Sequence, residues 1–216
     1  KHHTYSRPLI SYLLEGKKTA ALEIWENLGY QVPDYVAVSV GDGCIVGGLG
    51  KGFRDLQRMG LIDRLPRLLA VQARGSSVLA KAFAQGDRVV PEPDADTYAD
   101  SISVGIPRAA ALALRGVRES EGTFVVVEDE EIQEAQVLLA RHAGVFAEPA
   151  GATPIAGLRK AVSQGLIPRE ARVVALVTGN GLKDVEGALK ALREGPTSID
   201  RDPGTLRDTL QAQGLA

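Results

Sequence analysis

Two glycine-rich stretches hold the residues of this sequence that are best suited to bind an anion. The first, GDGCI at residues 41–45, and the second, VTGNGLKD at residues 177–184, each follow a valine-rich run. Where a buried strand passes through glycines into a helix, bare backbone N–H groups and the positive end of the helix dipole face the bend. Such a bend favours phosphate, although the first stretch could also be only a tight connection between a strand and a helix.

Neither of two common phosphate-binding motifs fits the first stretch. A nucleotide-triphosphate loop requires glycine, four residues, then glycine, lysine and a hydroxyl residue. Here Ile45 replaces the first glycine and Gly52 replaces the hydroxyl residue. A dinucleotide-binding turn needs an acidic residue after the next strand, but that run continues into Arg74. The sequence therefore favours a single phosphate on a smaller cofactor.

Thr178 stands where the second valine-rich run meets its glycines. Its hydroxyl can donate or accept a hydrogen bond, which suits a heterocyclic nitrogen, or it could simply be a β-branched residue that ends a strand. Ligands of α/β proteins collect outside the carboxyl ends of the strands. We therefore expect Gly43 and Thr178 to face one small ligand.

Strands and helices alternate along the chain and must position these residues. Short apolar runs bounded by turn formers predict buried strands, at residues 35–40, 67–73 and 123–129 and within 171–181. We predict helices over residues 16–28, 51–60, 76–86, 106–120, 130–144 and 184–195, with another within 145–165. Residues 88–104 form the longest irregular segment. The order predicts an α/β fold with a mainly parallel sheet flanked by helices.

Composition narrows the class of protein. The 216 residues are 44% hydrophobic and 24% charged, with a formal net charge of −2, and so carry no basic footprint for nucleic acid. No apolar run approaches the roughly 20 residues of a membrane span. A single cysteine, Cys44, excludes an internal disulfide framework, and we expect a cytoplasmic protein. The acidic segment around Glu92 and Asp96 lacks the spacing of a calcium loop, so we expect no metal.

Four parts of the sequence together resemble the threonine synthases, which are fold type II pyridoxal-phosphate enzymes. They are EGKKTAALEI at residues 15–24, VGDGCIVGGLGKGF at 40–53, DSISVGIPR at 100–108, and GVFAEPAGA at 144–152 paired with VTGNGLKD at 177–184. The resemblance implies a tryptophan synthase beta-like large domain that binds pyridoxal 5'-phosphate. It also implies a lyase that converts O-phosphohomoserine and water to threonine and phosphate.

The resemblance assigns roles to particular residues. The backbone N–H groups of the first stretch would hold the cofactor phosphate, and these belong to Gly41, Asp42, Gly43, Cys44 and Ile45. Thr178 would hydrogen-bond the pyridine nitrogen, and Glu148 would lie near the ring without an assigned role. Ser101 and Ser103 resemble a substrate-side segment, but such serines could also form only local hydrogen bonds. Cys44 is interpreted as a small residue in a crowded loop rather than as a nucleophile.

Two departures from the family keep other substrates open. Asp42 and Cys44 interrupt a loop that usually combines glycine with asparagine, and a carboxylate repels phosphate unless it points away or is capped by neighbours. Arg7, Pro8 and Leu13 occupy the positions of the usual phosphohomoserine clamp. The alternatives are a cysteate synthase or serine/threonine dehydratase, acting on a small or phosphorylated amino acid, and a non-catalytic binding module.

The family's Schiff-base lysine has no matching motif here, so the catalytic residue is unknown. We interpret Lys51, Lys160 and Lys183 as solvated lysines. The sequence is therefore expected to be the C-terminal portion of a longer enzyme and to be inactive alone. Residues 1–195 would form the cofactor-binding domain and residues 196–216 a tail. Family members commonly form homodimers, which the resemblance suggests for this protein.

Overall fold

The computed structural model describes residues 7–192, 202–212 and 214, with side chains from residue 11 onward. His2, His3, residues 193–195 of one predicted helix and much of the predicted tail lie outside these ranges. Four strands form one sheet in the order β3-β2-β1-β4, and every pairing is parallel. They are β1 (Tyr35–Ser39), β2 (Arg67–Ala73), β3 (Thr123–Val127) and β4 (Val173–Ala175). The parallel α/β sheet predicted from the sequence is confirmed.

Helices follow each strand and cover the sheet. Their bounds are α1 (Arg7–Asn27), α2 (Cys44–Arg58), α3 (Val78–Ala84), α4 (Ala110–Glu119), α5 (Asp129–Ala143), α6 (Pro149–Ser163), α7 (Val185–Ala191) and α8 (Pro203–Ala212). Short 3-10 turns lie at Arg74–Ser76, Asp100–Ile102 and Gly181–Lys183. No helix in the part of the chain that the structure describes is long and apolar enough to cross a membrane.

Alternate residues of the strands enter two separate hydrophobic cores, one on each face of the sheet. Ala37 and Val71 pack with α5 and α6, whereas Val36 and Leu68 pack with α2 and α4. All five residues of β1 are buried. A central parallel strand that is covered on both faces is expected to be almost continuously apolar, and this is why the first four residues of YVAVS form an apolar run before Ser39.

The predicted start of α2 was wrong. Helix α2 begins at Cys44 rather than at Lys51, and α1 begins at Arg7 rather than at Gly16. Glycine weakens a helix by about 1 kcal/mol relative to alanine, so a stretch with glycines at positions 47, 48 and 50 indicated a turn. Tertiary contacts outweigh this preference here, because the glycines allow neighbouring helices to pack closely.

Those helical glycines form contacts that a side chain would block. A Cβ added at Gly48 would lie 2.7 Å from the Cβ of Lys17 on α1, and one at Gly52 would lie 2.6 Å from the Cβ of Ala21. On the other side, a Cβ at Gly50 would lie 2.9 Å from the Cα of Gly116 on α4. Of the glycines in residues 41–52, Gly41 and Gly43 lie ahead of α2 rather than inside it, and these two can shape a ligand site.

Candidate functional site

Both glycine-rich stretches line one cavity of about 580 Å³ outside the carboxyl ends of β1 and β4. A volume of this size is typical of small-molecule sites. Most residues singled out from the sequence contribute to its wall: Gly41, Asp42, Gly43, Cys44, Ile45, Ser101, Glu148 and Thr178. The expectation that Gly43 and Thr178 share one concave surface agrees with this placement. Their roles toward a ligand remain predictions.

The first turn offers a set of free backbone donors. Gly43 is the residue before α2 and has a φ of 88°, which reverses the chain direction between strand and helix. No side chain caps this helix start. Among the described residues, the backbone N–H groups of residues 41–46 have no protein acceptor. Because the positive end of a helix dipole adds to such donors, the turn suits an anionic group.

Glycine is required at both positions of the turn. A Cβ added at Gly41 would lie 2.9 Å from the Cα of Ile102, and one at Gly43 would lie 2.9 Å from the Cβ of Ala113. The positive φ of Gly43 is also costly for any residue with a Cβ. The turn is therefore closely packed against Ile102 and Ala113, while its residues line the cavity. A phosphate on a small cofactor fits this arrangement.

Asp42, between the two glycines, is paired with Arg108. The Nη2 of Arg108 lies 3.0 Å from Asp42 Oδ2, and its Nε donates to the same oxygen at 3.1 Å. The backbone N–H of Arg108 donates to Oδ1 at 2.6 Å. Of the two resolutions that the sequence left open, outward orientation or capping by neighbours, the structure shows capping.

Cys44 is a protonated thiol in this environment. Partial burial, followed by the nearby charge and hydrogen-bond acceptance of Asp42, raises the pKa of Cys44 to about 11. Its Sγ donates to Asp42 Oδ2 at 3.6 Å. A nucleophilic cysteine needs a lowered pKa, so the geometry favours the interpretation of Cys44 as a small residue that fills the loop.

The second turn is bound to the start of α6. Glu148 donates its backbone N–H to Gly179 O at 3.0 Å, and Gly181 donates to Phe146 O at 2.9 Å. A Cβ added at Gly179 would lie 2.0 Å from Glu148 Oε1. The Glu148 carboxylate therefore occupies the space that a side chain at Gly179 would need. Thr178 itself is exposed at the rim of the cavity.

Glu148 is a buried carboxylate on the cavity wall. The residue is only 5% exposed, and its Oε2 lies 3.1 Å from Lys183 Nζ. The Lys183 side chain is 62% exposed, so the pair extends from the buried wall to solvent. Burial of a carboxylate is costly unless it is paired, and Lys183 supplies the counter-charge.

The two serines of the substrate-side segment separate. Ser101 lines the cavity, whereas Ser103 does not and donates its hydroxyl to Ala95 O at 2.9 Å. Ser103 therefore forms a local hydrogen bond, which was the alternative to a substrate-side role.

Among the residues that the structure describes, no group of three or more His, Cys, Asp or Glu residues is arranged to hold a metal.

Sequence reasoning gave no role in the site to four residues at or near this cavity, and it interpreted Lys183 only as a solvated lysine. Lys17, Lys183 and Ser39 line it, and Arg108 holds Asp42 beside it. Lys17, Lys183 and Arg108 lie within the stretches that carry the family resemblance, which was the available signal. Ser39 ends β1 and is 4% exposed, so a polar residue in an otherwise apolar strand was a further signal.

Comparison with known proteins identifies the family. A family model described as pyridoxal-phosphate dependent enzyme matches residues 3–179. Threonine synthase of Methanocaldococcus jannaschii is 41% identical over 201 residues, which are 93% of this chain and 49% of that protein. Threonine synthase of Methanosarcina acetivorans is 40% identical over 200 residues, or 92% and 49%. The chain thus spans about half the length of these relatives.

Solved structures support the same fold. The processed form of threonine deaminase isoform 2 from Solanum lycopersicum matches with a TM-score of 0.68 at 19% identity, covering 84% of this chain and 50% of that chain. At this level of identity the likeness concerns the fold alone. The family match over residues 3–179 and this likeness of fold together identify the family and the architecture of the chain. The chain belongs to the pyridoxal-phosphate dependent enzymes and has their fold type II architecture.

Proposed function

We propose that this chain is the cofactor-binding part of a threonine-synthase-like lyase that converts O-phosphohomoserine and water to threonine and phosphate. One observation carries the proposal. The free N–H groups of the first turn and the hydroxyl of Thr178 border a single cavity of about 580 Å³. The identity of 41% to a threonine synthase supports this choice of reaction over the related alternatives.

The two turns would hold opposite ends of the cofactor. The N–H groups of residues 41–45 would donate to its phosphate, helped by the dipole of α2. Thr178 would hydrogen-bond the ring nitrogen, and a hydroxyl there leaves that nitrogen largely unprotonated. Pyridoxal phosphate, when bound, supplies an electron sink for negative charge on the substrate carbon chain.

The charged residues of the cavity would orient an anionic substrate. Lys17 lines the cavity near Cys44, and its positive charge acts to lower the pKa of that thiol against the larger effects of burial and Asp42. A second cation, Lys183, is held by Glu148 on the far wall. Because Glu148 already supplies the counter-charge of Lys183, the attraction for a phosphorylated amino acid would come mainly from Lys17. Ser101 adds a hydroxyl on the same surface.

We infer that the Schiff-base lysine comes from outside these 216 residues. Lys51, Lys160 and Lys183 are each paired with a glutamate, which supports a structural role for them. Residues 1–195 would then form the cofactor-binding domain, with residues 196–216 as a tail. We further propose a cytoplasmic homodimer that acts on small amino acids and has no nucleic-acid or membrane partner.

The decisive experiment is an assay of the intact protein with pyridoxal phosphate. O-phosphohomoserine should yield equal amounts of threonine and phosphate, whereas O-phosphoserine and threonine serve as competing substrates for the related activities. Release of 2-oxo acid from threonine alone would indicate a dehydratase. If the cofactor binds but O-phosphohomoserine gives no threonine, the proposed reaction is wrong.

A matched pair of variants tests the assigned hydrogen bond. Thr178→Val keeps the shape of the side chain but removes the hydroxyl, and we expect about threefold to tenfold weaker cofactor binding. Thr209→Val makes the same change on α8, where the hydroxyl donates to Thr205 O and the residue does not line the cavity. Cofactor titration followed by absorbance measures both. Equal affinity for the two variants would contradict the role of Thr178.

A further inference from the structure

We propose that Arg108 is a positioning residue: its charge neutralises Asp42 and thereby keeps the first turn able to bind a phosphate. This inference rests on the proposed function, because it takes the cofactor phosphate to be the anion at the turn. Asp42 lies among the N–H groups that would hold that phosphate. A carboxylate in such a place needs a counter-charge.

The pairing of the two side chains is close and multiple. Arg108 Nε lies 3.3 Å from Asp42 Oδ1 and 3.1 Å from Oδ2, and Nη2 lies 3.0 Å from Oδ2. Only 19% of the Asp42 side chain is exposed, against 40% of Arg108. The guanidinium therefore covers both carboxylate oxygens, in the paired geometry that makes arginine–carboxylate contacts strong.

The backbone of the two segments is joined independently of this side chain. Arg108 N donates to Asp42 Oδ1 at 2.6 Å, and Ala109 N donates to Asp42 O at 3.0 Å. Loss of the guanidinium would leave these two contacts in place. The distinctive contribution of the Arg108 side chain is therefore its positive charge.

Without the Arg108 guanidinium, the Asp42 carboxylate would repel the phosphate that the N–H groups of the same turn attract. Two like charges a few ångströms apart at a partly buried site interact strongly enough to lower affinity about tenfold or more. Asparagine at position 42 would carry no charge and could still accept the N–H of Arg108. The need for Arg108 should therefore disappear when Asp42 becomes asparagine.

Four forms of the intact protein test this dependence: the wild type, Arg108→Met, Asp42→Asn and the double variant. Pyridoxal phosphate and inorganic phosphate are the probes, titrated by calorimetry. We expect Arg108→Met to bind both about tenfold more weakly, and the double variant to match Asp42→Asn. Arg64→Met is the control, because it removes a comparable arginine–aspartate pair, with Asp34, beyond the other end of the sheet.

The reactivity of Cys44 gives a second readout that needs no bound cofactor. Burial and Asp42 raise the pKa of this thiol, whereas Arg108 and Lys17 act to lower it. The pH midpoint of alkylation by iodoacetamide should therefore rise in Arg108→Met and fall in Asp42→Asn. A purely structural role for Arg108 predicts no such opposite shifts.

The outcomes separate the two proposals. A wild-type protein that binds neither probe would contradict the proposed function. If the wild type binds and the double variant is as weak as Arg108→Met, the charge-neutralising role of Arg108 is wrong while the cofactor site stands. Shifts of the Cys44 midpoint in the same direction in both single variants would also overturn that role.

Discussion

The two glycine turns face one cavity from adjacent strands, but among the described residues protein acceptors occupy the last backbone donors of the second turn, at residues 181–184, and none of those of the first. In the first turn the N–H groups of residues 41–46 have no acceptor within the described protein. In the second, Asn180 Oδ1 accepts from Leu182 N at 2.9 Å and Phe146 O accepts from Gly181 N. The first turn can bind a ligand with its backbone, whereas the end of the second turn forms a frame that is bonded within itself and to Phe146, and that is independent of the first turn.

The difference lies in where the polar side chains of each turn point. Asn180 and Asp184 fold back and accept N–H groups of their own segment, from Leu182 and Gly187. Asp42 instead accepts from residue 108 in another segment, and it leaves the neighbouring donors open. Similar glycine-rich sequences can therefore serve different purposes, depending on which donors the local side chains occupy.

Disruption of the first turn should have the largest effect. Gly43→Ala places a Cβ at a φ of 88° and 2.9 Å from Ala113 Cβ. Backbone strain and overpacking together should lower the free energy of unfolding by about 2–4 kcal/mol. Chemical denaturation measures this loss, and phosphate affinity should fall with it because the donors move.

Gly86→Ala is the control for this variant. Gly86 has a φ of 75°, but an added Cβ would meet nothing within 4 Å. It should therefore show the strain alone, about 1–2 kcal/mol. Equal losses of unfolding free energy in Gly43→Ala and Gly86→Ala would show that the contact of position 43 with Ala113 contributes nothing to the effect.

Loss of the Tyr98 hydroxyl should come next, since this residue supports the second turn from outside. The Tyr98 hydroxyl has one proton, which it can donate to Gln136 Oε1 or to the carbonyl oxygen of Gly187 on α7, since both lie within hydrogen-bonding distance. Tyr98→Phe leaves both acceptors without this donor and should lower the free energy of unfolding by about 1–2 kcal/mol. Phosphate affinity at the first turn should stay unchanged.

The pH dependence of this loss provides a separate check. Burial, followed by the charges of Asp184 and Asp129, raises the pKa of Tyr98 to about 12 from an ordinary value of 10. The folded state thus favours the protonated hydroxyl, so its stabilisation is present below pH 10 and is lost toward pH 12. The stability difference between wild type and Tyr98→Phe should shrink over that range. A difference that grows would contradict this sign.

Removal of a helix cap in the second turn should have the smallest effect. Asp184 Oδ1 accepts from Gly187 N at 2.9 Å at the start of α7. Asp184→Ala should cost about 1 kcal/mol without weakening the binding of inorganic phosphate. Asp202→Ala removes a similar cap from α8, where Oδ2 accepts from Thr205 N at 3.0 Å. If only Asp184→Ala weakened phosphate binding, the second turn would not be the independent frame described here.

Local patterns predicted the strands better than the helix starts. Residues 67–73 were predicted as a strand and form β2 over the same bounds, because a buried parallel strand is mostly apolar, as residues 68–71 are here. Helix α2 was predicted too short because its glycines look unfavourable until α1 and α4 lie against them. The packing of α1 and α4 against those glycines stabilises the start of α2. Local helix propensity does not include such contacts between residues that are distant in the chain.

The backbone part of the site was easier to predict than the charged part. The glycines of the first turn and Thr178 follow strand ends, and the rule for parallel sheets brings such ends together. The pairing of Arg108 with Asp42 joins residues 66 positions apart. The pairing of Lys183 with Glu148 depends on how α6 meets the second turn. Neither spacing follows any helix or strand period, so only the folded chain reveals them.

Gly48 on α2 affects the cavity indirectly, through its contact with Lys17 on α1. A Cβ added at Gly48 would lie 2.7 Å from the Cβ of Lys17 and 3.1 Å from the carbonyl oxygen of Leu14, so the glycine lets α1 pack closely against α2. A methyl group there would contact Lys17 directly and displace a lysine that lines the cavity, although Gly48 itself does not line it. The position of the Lys17 side chain in the cavity wall therefore depends on the absence of a side chain at Gly48.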